Sequence, residues 1–142
     1  MKHHIVKRLY FSYGHRLMDY EGKCAHAHGH NGVLDVELGS DKLDHRGMVY
    51  DFSDVKKSLK GFIDRELDHR MLLREDDPMV AALEGIGERV FLMKENPTAE
   101  NIAKLIFQEA RAKKLPVVAI RLWETRDAFA EYRGEIDHDA EG

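Results

Sequence analysis

Cysteine is almost absent from the chain: Cys24 is the only one in 142 residues. A single thiol excludes an internal disulfide and suits a reducing compartment, so a cytoplasmic chain is expected. Long apolar runs are missing too. None approaches the roughly 20 residues that span a bilayer, and the opening "MKHHIVKRLYFSYGHRL" lacks the apolar block of a secretory signal, so no membrane partner is expected. Basic blocks are equally lacking. With 22 Lys and Arg against 26 Asp and Glu, the net charge of −4 argues against a nucleic-acid partner. There are no internal repeats and no low-complexity segments. The length supports one real core and not two, so a single domain is expected over residues 1–142, with 136–142 as a fraying tail.

What is present is ordinary globular composition with clear periodicity. "HHIVKRLYFS" is β-branched and aromatic and predicts a strand. "VLDVELG" alternates Leu34, Val36 and Leu38 against Val33, Asp35 and Glu37, the period of a half-buried strand between two turn signals. In "DFSDVKKSLKGFIDRELDHRML", Val55, Leu59, Phe62, Ile63 and Leu67 fall on one helical face, with Ser53 or Asp54 placed to cap it. "NPTAENIAKLIFQEARAKK" repeats the scheme with Thr98 as cap, a stripe of Ile102, Leu105 and Ile106, and basic residues at its end. Between the helices the chain predicts a short helical turn, a Gly-rich break and a short strand at "RVFLM". "PVVAIRLWET" predicts a strand and "FAEYRGEI" one more. The sum is α+β, an antiparallel sheet with helices on one face.

The stretch "GKCAHAHGHNG" concentrates chemistry that core packing does not need: the only thiol and three imidazoles at alternate positions. In a strand, residues two apart point the same way roughly 6–7 Å apart, so His28 and His30 can converge on one ion. His26 shares their parity but stands roughly 13 Å from His30, marginal for one metal. His15, just after the first strand in "FSYGHRL", is the leading third ligand, because neighbouring antiparallel strands bring such positions together. Three neutral histidines and no thiolate suit zinc with a fourth position open. His-x-His also occurs on surface strands without a metal.

Three further groups stand out. Cys24, four residues before His28, is placed to face whatever the ion holds, and a nearby cation would make its thiol a usable base; most single cysteines are simply buried. Asp68 and His69 are neighbours that can serve one site only where their helix ends. Glu124 continues the apolar parity of Val118, Ile120 and Leu122, and a carboxylate there is costly to bury unless it binds something. It would accept the N–H donors of an amino-pyrimidine ring; otherwise it is solvated at the strand end.

Taken in order, "FSYGHRL", "CAHAHGH", "GMVYDFSDVK", "LDHRML", "ENPTAENIA" and "WETRDAFAEYRGE" resemble the 6-pyruvoyltetrahydropterin synthase / 6-carboxytetrahydropterin synthase family over about residues 10–135. The resemblance implies the tunnelling fold: a four-stranded antiparallel sheet with two helices on one face, assembling around a pore into trimers and then a homohexamer, with sites between subunits. It implies zinc on His15, His28 and His30, Cys24 as general base with Asp68 and His69 as its relay, and Glu124 as pterin anchor and part of the relay. Thr98 and Glu100 match a helix start lining the pterin pocket. The implied substrate is 7,8-dihydroneopterin triphosphate.

The Cys-x3-His-x-His spacing resembles the carboxy branch, which releases acetaldehyde and triphosphate and serves queuosine and other deazapurines. Rival readings are a 6-pyruvoyltetrahydropterin synthase, a related pterin aldolase, and a non-catalytic oligomer binding metal or pterin. Lys23, Arg16, Arg70 and Arg126 are candidate partners for the triphosphate. Three features depart from the family pattern: Tyr13-Gly14 where small residues are common, the longer segment 73–95, and the extra imidazole of His26.

Overall fold

The computed structural model describes residues 1–135, so the expected tail, including the last residue of "FAEYRGEI", lies outside the described residues. Among the described residues six strands form one sheet: β1 (His3–His15), β2 (His28–Ser40), β3 (Arg70–Arg74), β4 (Val90–Met93), β5 (Val117–Thr125) and β6 (Ala128–Arg133). Their order is β4-β3-β1-β2-β5-β6. Three helices accompany them: α1 (Phe52–Phe62), the short α2 (Met79–Gly85) and α3 (Ala99–Ala112).

The expected four-stranded antiparallel sheet with two helices is therefore corrected to a six-stranded mixed sheet with three. β1–β2, β2–β5 and β5–β6 are antiparallel, as expected. β1–β3 and β3–β4 are parallel, because α1 and α2 lie between those strands in the chain and act as crossovers.

The core fills the space between one sheet face and the helices. β1 contributes Leu9 and Phe11, β2 contributes Leu34, Val36 and Leu38, and β5 contributes Val117, Ile120 and Leu122, all buried. The expected face of α1 is buried at Val55, Leu59 and Phe62 and continues through Ile63 and Leu67 in a π-helical turn. Each fully buried large side chain stabilises by about 1.5–3 kcal/mol relative to exposure. The cap of α1 is Asp51 rather than Ser53 or Asp54; its carboxylate accepts from the Ser53 N–H. α3 starts at Thr98 as expected, with the Thr98 hydroxyl accepting from the Asn101 N–H at 3.1 Å. Its buried face is Ile102, Ala103, Ile106, Phe107 and Ala110, so Leu105 sits at the margin of the stripe rather than inside it.

The opposite sheet face is polar and tightly paired. Arg8 grips Asp35 through Nε at 2.7 Å, and the Trp123 indole N–H donates to the same carboxylate. Arg121 and Arg133 pair with the buried Glu37. No helix among the described residues is long and apolar enough to cross a membrane.

Candidate metal centre

Both long strands run further than their apolar patterns indicate, and the extension builds the site. His15 is the last residue of β1 rather than a residue beyond it, and β2 begins at His28. The antiparallel register pairs His15 with His28 and Tyr13 with His30. Directly opposed residues share a face, so three imidazoles gather where the apolar face of Leu9 and Phe11 ends. Their ring centroids lie 4.5, 5.1 and 5.0 Å apart, and one nitrogen from each falls within 4.8 Å of the others. His26 is exposed just before β2 and is not part of this group.

The ring protons are fixed by backbone carbonyls. His15 Nδ1 lies 2.6 Å from the Pro97 carbonyl and His28 Nδ1 lies 2.8 Å from the His26 carbonyl. A carbonyl only accepts, so each Nδ1 carries the proton and each Nε2 presents a lone pair. Those two lone pairs face each other at 3.0 Å. Two acceptors at that spacing repel unless a cation lies between them. Tetrahedral zinc ligands on bonds of 2.0–2.1 Å stand about 3.3 Å apart, so the spacing fits such an ion. The third ring completes the case: His30 Nε2 is buried and has no hydrogen-bond partner. Burial holds the His15 imidazole below its ordinary range despite the Pro97 carbonyl and Glu124, which favours the neutral, ligating form.

Glu124 arrives from the end of β5. Its Oε2 stands 3.4 Å from His30 Nε2 and its Oε1 4.0 Å from His15 Nε2. Oε1 also accepts from the Tyr13 hydroxyl at 3.1 Å. Burial first, then the charge of Glu124, pushes the Tyr13 phenol well above its usual range, so it stays a donor. The sequence pattern indicates the face that Glu124 occupies; it carries no signal for the Tyr13 bond, 111 positions away in the chain.

Asp68 and His69 stand where the π-helical turn stops. Asp68 has extended backbone, and His69 takes a left-handed conformation at φ +59°, a costly one for a residue other than glycine. The His69 N–H donates to the Ser12 carbonyl at 2.7 Å, locking that conformation. Asp68 Oδ1 accepts from the Ser12 N–H, and Oδ2 lies 3.0 Å from His69 Nδ1. Burial pushes the Asp68 carboxyl up, but the Ser12 N–H, His69 and Lys60 outweigh it and hold the group below its ordinary range. The His69 side chain is 78% exposed and points away from the chain's own core. It borders a cleft of about 610 Å³ together with His28, His30, Asn31, Arg70 and Met71.

Cys24 lies in the turn Lys23–Ala25, half-buried, with its carbonyl accepting from the Leu17 N–H at 2.9 Å. No hydrogen bond joins its thiol to Asp68, His69 or Glu124 among the described residues. The structure thus gathers His15, His28, His30 and Glu124, pairs Asp68 with His69, and leaves Cys24 unlinked to that pair within one chain. Thr98 serves as a cap, and Glu100 is exposed in the first turn of α3. Of the basic residues, Arg16 is committed to the buried Asp77, whereas Arg70 lines the cleft and Arg126 is exposed. Pro97, whose carbonyl meets His15 Nδ1, and Asn96 before it carry no chemical signal in the sequence beyond the helix start that follows them.

A family model described as 6-pyruvoyl tetrahydropterin synthase matches residues 4–135. A protein of Rickettsia conorii named 6-carboxy-5,6,7,8-tetrahydropterin synthase is 36% identical over 133 residues, covering 89% of this chain and 96% of that protein. One of the same name from Aquifex aeolicus is 34% identical, covering 95% of this chain and all (100%) of that protein. Among solved structures, the 6-pyruvoyl tetrahydropterin synthase of Caenorhabditis elegans superposes with a TM-score of 0.69 at 26% identity, covering 93% of this chain and 95% of that one.

Proposed function

The chain belongs to the 6-pyruvoyl tetrahydropterin synthase family, and from that premise we propose that it is a zinc-dependent 6-carboxy-5,6,7,8-tetrahydropterin synthase. Its substrate is 7,8-dihydroneopterin triphosphate, its products are 6-carboxytetrahydropterin, acetaldehyde and triphosphate, and its place is in queuosine and 7-deazapurine synthesis. The observation that carries the reading is the convergence of three imidazoles: the Nε2 lone pairs of His15 and His28 face each other, and His30 Nε2 is buried beside them without a hydrogen-bond partner. The names of the 33–36% identical relatives and the Cys24-x3-His28-x-His30 spacing support the carboxy branch over the pyruvoyl one.

Zinc held by His15, His28 and His30 would supply Lewis acidity, polarising oxygen on the substrate side chain. The chain's own residues do the rest. Glu124 accepts the N–H donors of the pterin's amino-pyrimidine edge and orients the ring, with Thr98 and Glu100 bordering it. Cys24 is the general base, moving protons at the side-chain carbons. Asp68, held ionised, accepts from His69 Nδ1, which leaves His69 Nε2 free to exchange a proton with a thiol. Because His69 is exposed and not bonded to Cys24 of its own chain, the relay is completed between subunits of a homohexamer. Arg70 and Arg126, not engaged with buried carboxylates, are the favoured partners of the triphosphate, with Lys23 beside the thiol.

Incubating zinc-loaded protein with 7,8-dihydroneopterin triphosphate and identifying products by mass spectrometry tests this reading. Equal amounts of acetaldehyde and a 6-carboxy pterin are expected. A pyruvoyl product, a hydroxymethyl product or no turnover would overturn it.

A further inference from the structure

Tyr13 is a bulky residue in an unusual place. It is 3% exposed, two positions before His15 on β1. Its ring meets His15 edge-on at 5.3 Å between centroids, tilts against His30 at 5.6 Å and stacks on Phe11 at 5.1 Å. Gly32 leaves room for it: a Cβ there would lie 3.0 Å from Tyr13 Cε1. The chain therefore spends a glycine to admit a phenol beside the three histidines.

A buried hydroxyl without a partner is costly, and this one has a single protein partner, Glu124 Oε1 at 3.1 Å. The relation is reciprocal. Among the described residues no other hydrogen bond holds the Glu124 carboxylate. Its remaining neighbours, His30 and His15, present ring nitrogens beyond hydrogen-bond geometry. Glutamate has three rotatable bonds, and a carboxylate free to turn loses that freedom when it receives a ligand. Tethering Oε1 removes the loss beforehand and leaves Oε2 and the second lone pair of Oε1 open to two N–H donors.

We propose that Tyr13 is a positioning residue that sets Glu124 for the amino-pyrimidine edge of the pterin, an inference that rests on the functional reading above. Tyr13 touches neither substrate nor metal in this role; it acts through the carboxylate. A pterin arriving with its two N–H groups finds an acceptor already oriented.

The test is Tyr13→Phe, which keeps the ring and deletes only the donor. Dissociation constants for neopterin are measured by fluorescence titration well below each variant's Tm, alongside zinc content and steady-state kinetics. Neopterin affinity should weaken about ten-fold, the order of one lost hydrogen bond to a charged group. KM should rise by a similar factor with kcat changed less than about two-fold, and zinc content should match the wild type. Equal neopterin affinity in both proteins overturns the proposal. So does loss of zinc in Tyr13→Phe, which would make the bond a support of the metal ligands. Absence of neopterin binding by the wild type overturns the pterin reading itself, and this proposal with it.

Discussion

Replacing Asn96 by alanine should separate the fold's support of His15 from the fold itself. Asn96 sits in the turn between β4 and α3 and clamps the chain just after β1: its Oδ1 accepts from the Met18 N–H at 2.8 Å, and its Nδ2 donates to the Met18 carbonyl at 2.7 Å. Its own carbonyl accepts from the Thr98 N–H and from Asn101 Nδ2. The next residue, Pro97, offers the carbonyl that fixes the His15 tautomer. Asn96→Ala deletes both bonds to Met18 in a half-buried setting. At roughly 1 kcal/mol each, the loss is about 2 kcal/mol, or a fall in Tm of about 4–8 °C for a chain of this size. Partners that orient a metal-bound histidine typically contribute 10–100-fold in metal affinity; with Asn96 one step behind Pro97, about ten-fold is expected. Thermal unfolding of the metal-free protein gives the first quantity, and competition with a chromophoric zinc chelator gives the second. A lowered Tm with unchanged zinc affinity would refute the idea that this turn orients His15. An unchanged Tm would refute the clamp.

Cys24→Ser should retain zinc and neopterin binding while turnover falls by about 100-fold or more, as expected for loss of a general base; retained turnover would remove Cys24 from the chemistry. The polar face of the sheet predicts the acid limit of stability. The Arg8 guanidinium, helped by Trp123 and opposed by burial, holds Asp35 below its ordinary 3.8. Burial raises Glu37, but Arg121 and Arg133 outweigh it and bring the group below 4.5. Both groups bind protons less readily folded than unfolded, so their stabilisation is complete above the unfolded values and is lost as pH falls from there through the lower folded ones. Tm should therefore drop progressively below about pH 4.5, and Asp35→Asn should flatten that drop; an identical acid profile in the variant would contradict the assignment.

Much of this molecule is readable from its periodicities. β2 and β5 show alternation because one face packs on helices and the other is polar. α1 and α3 show apolar stripes, and Thr98 marks a helix start by chemistry alone. The misreadings have physical causes. Met71 continues the spacing of Ile63 and Leu67, so "RMLLR" extends a helical pattern, and no glycine or proline marks the break. The interruption is instead a left-handed histidine bonded to Ser12, a contact no local pattern encodes. β3 thereby disappears into the helix, and with it the parallel half of the sheet. The histidine pair is legible because β-strand parity is strict, and Glu124 for the same reason. The Tyr13 bond to Glu124 and the Pro97 bond to His15 depend on long-range register, which the sequence expresses only once folded.

His15, His28 and His30 are proposed to hold one cation between them. Elemental analysis of the purified protein after zinc loading and exhaustive desalting, beside that of His28→Ala, tests it most directly. One zinc per chain in the native sequence and essentially none in His28→Ala is the predicted result. Full zinc occupancy in His28→Ala, or none in the native protein, would contradict it.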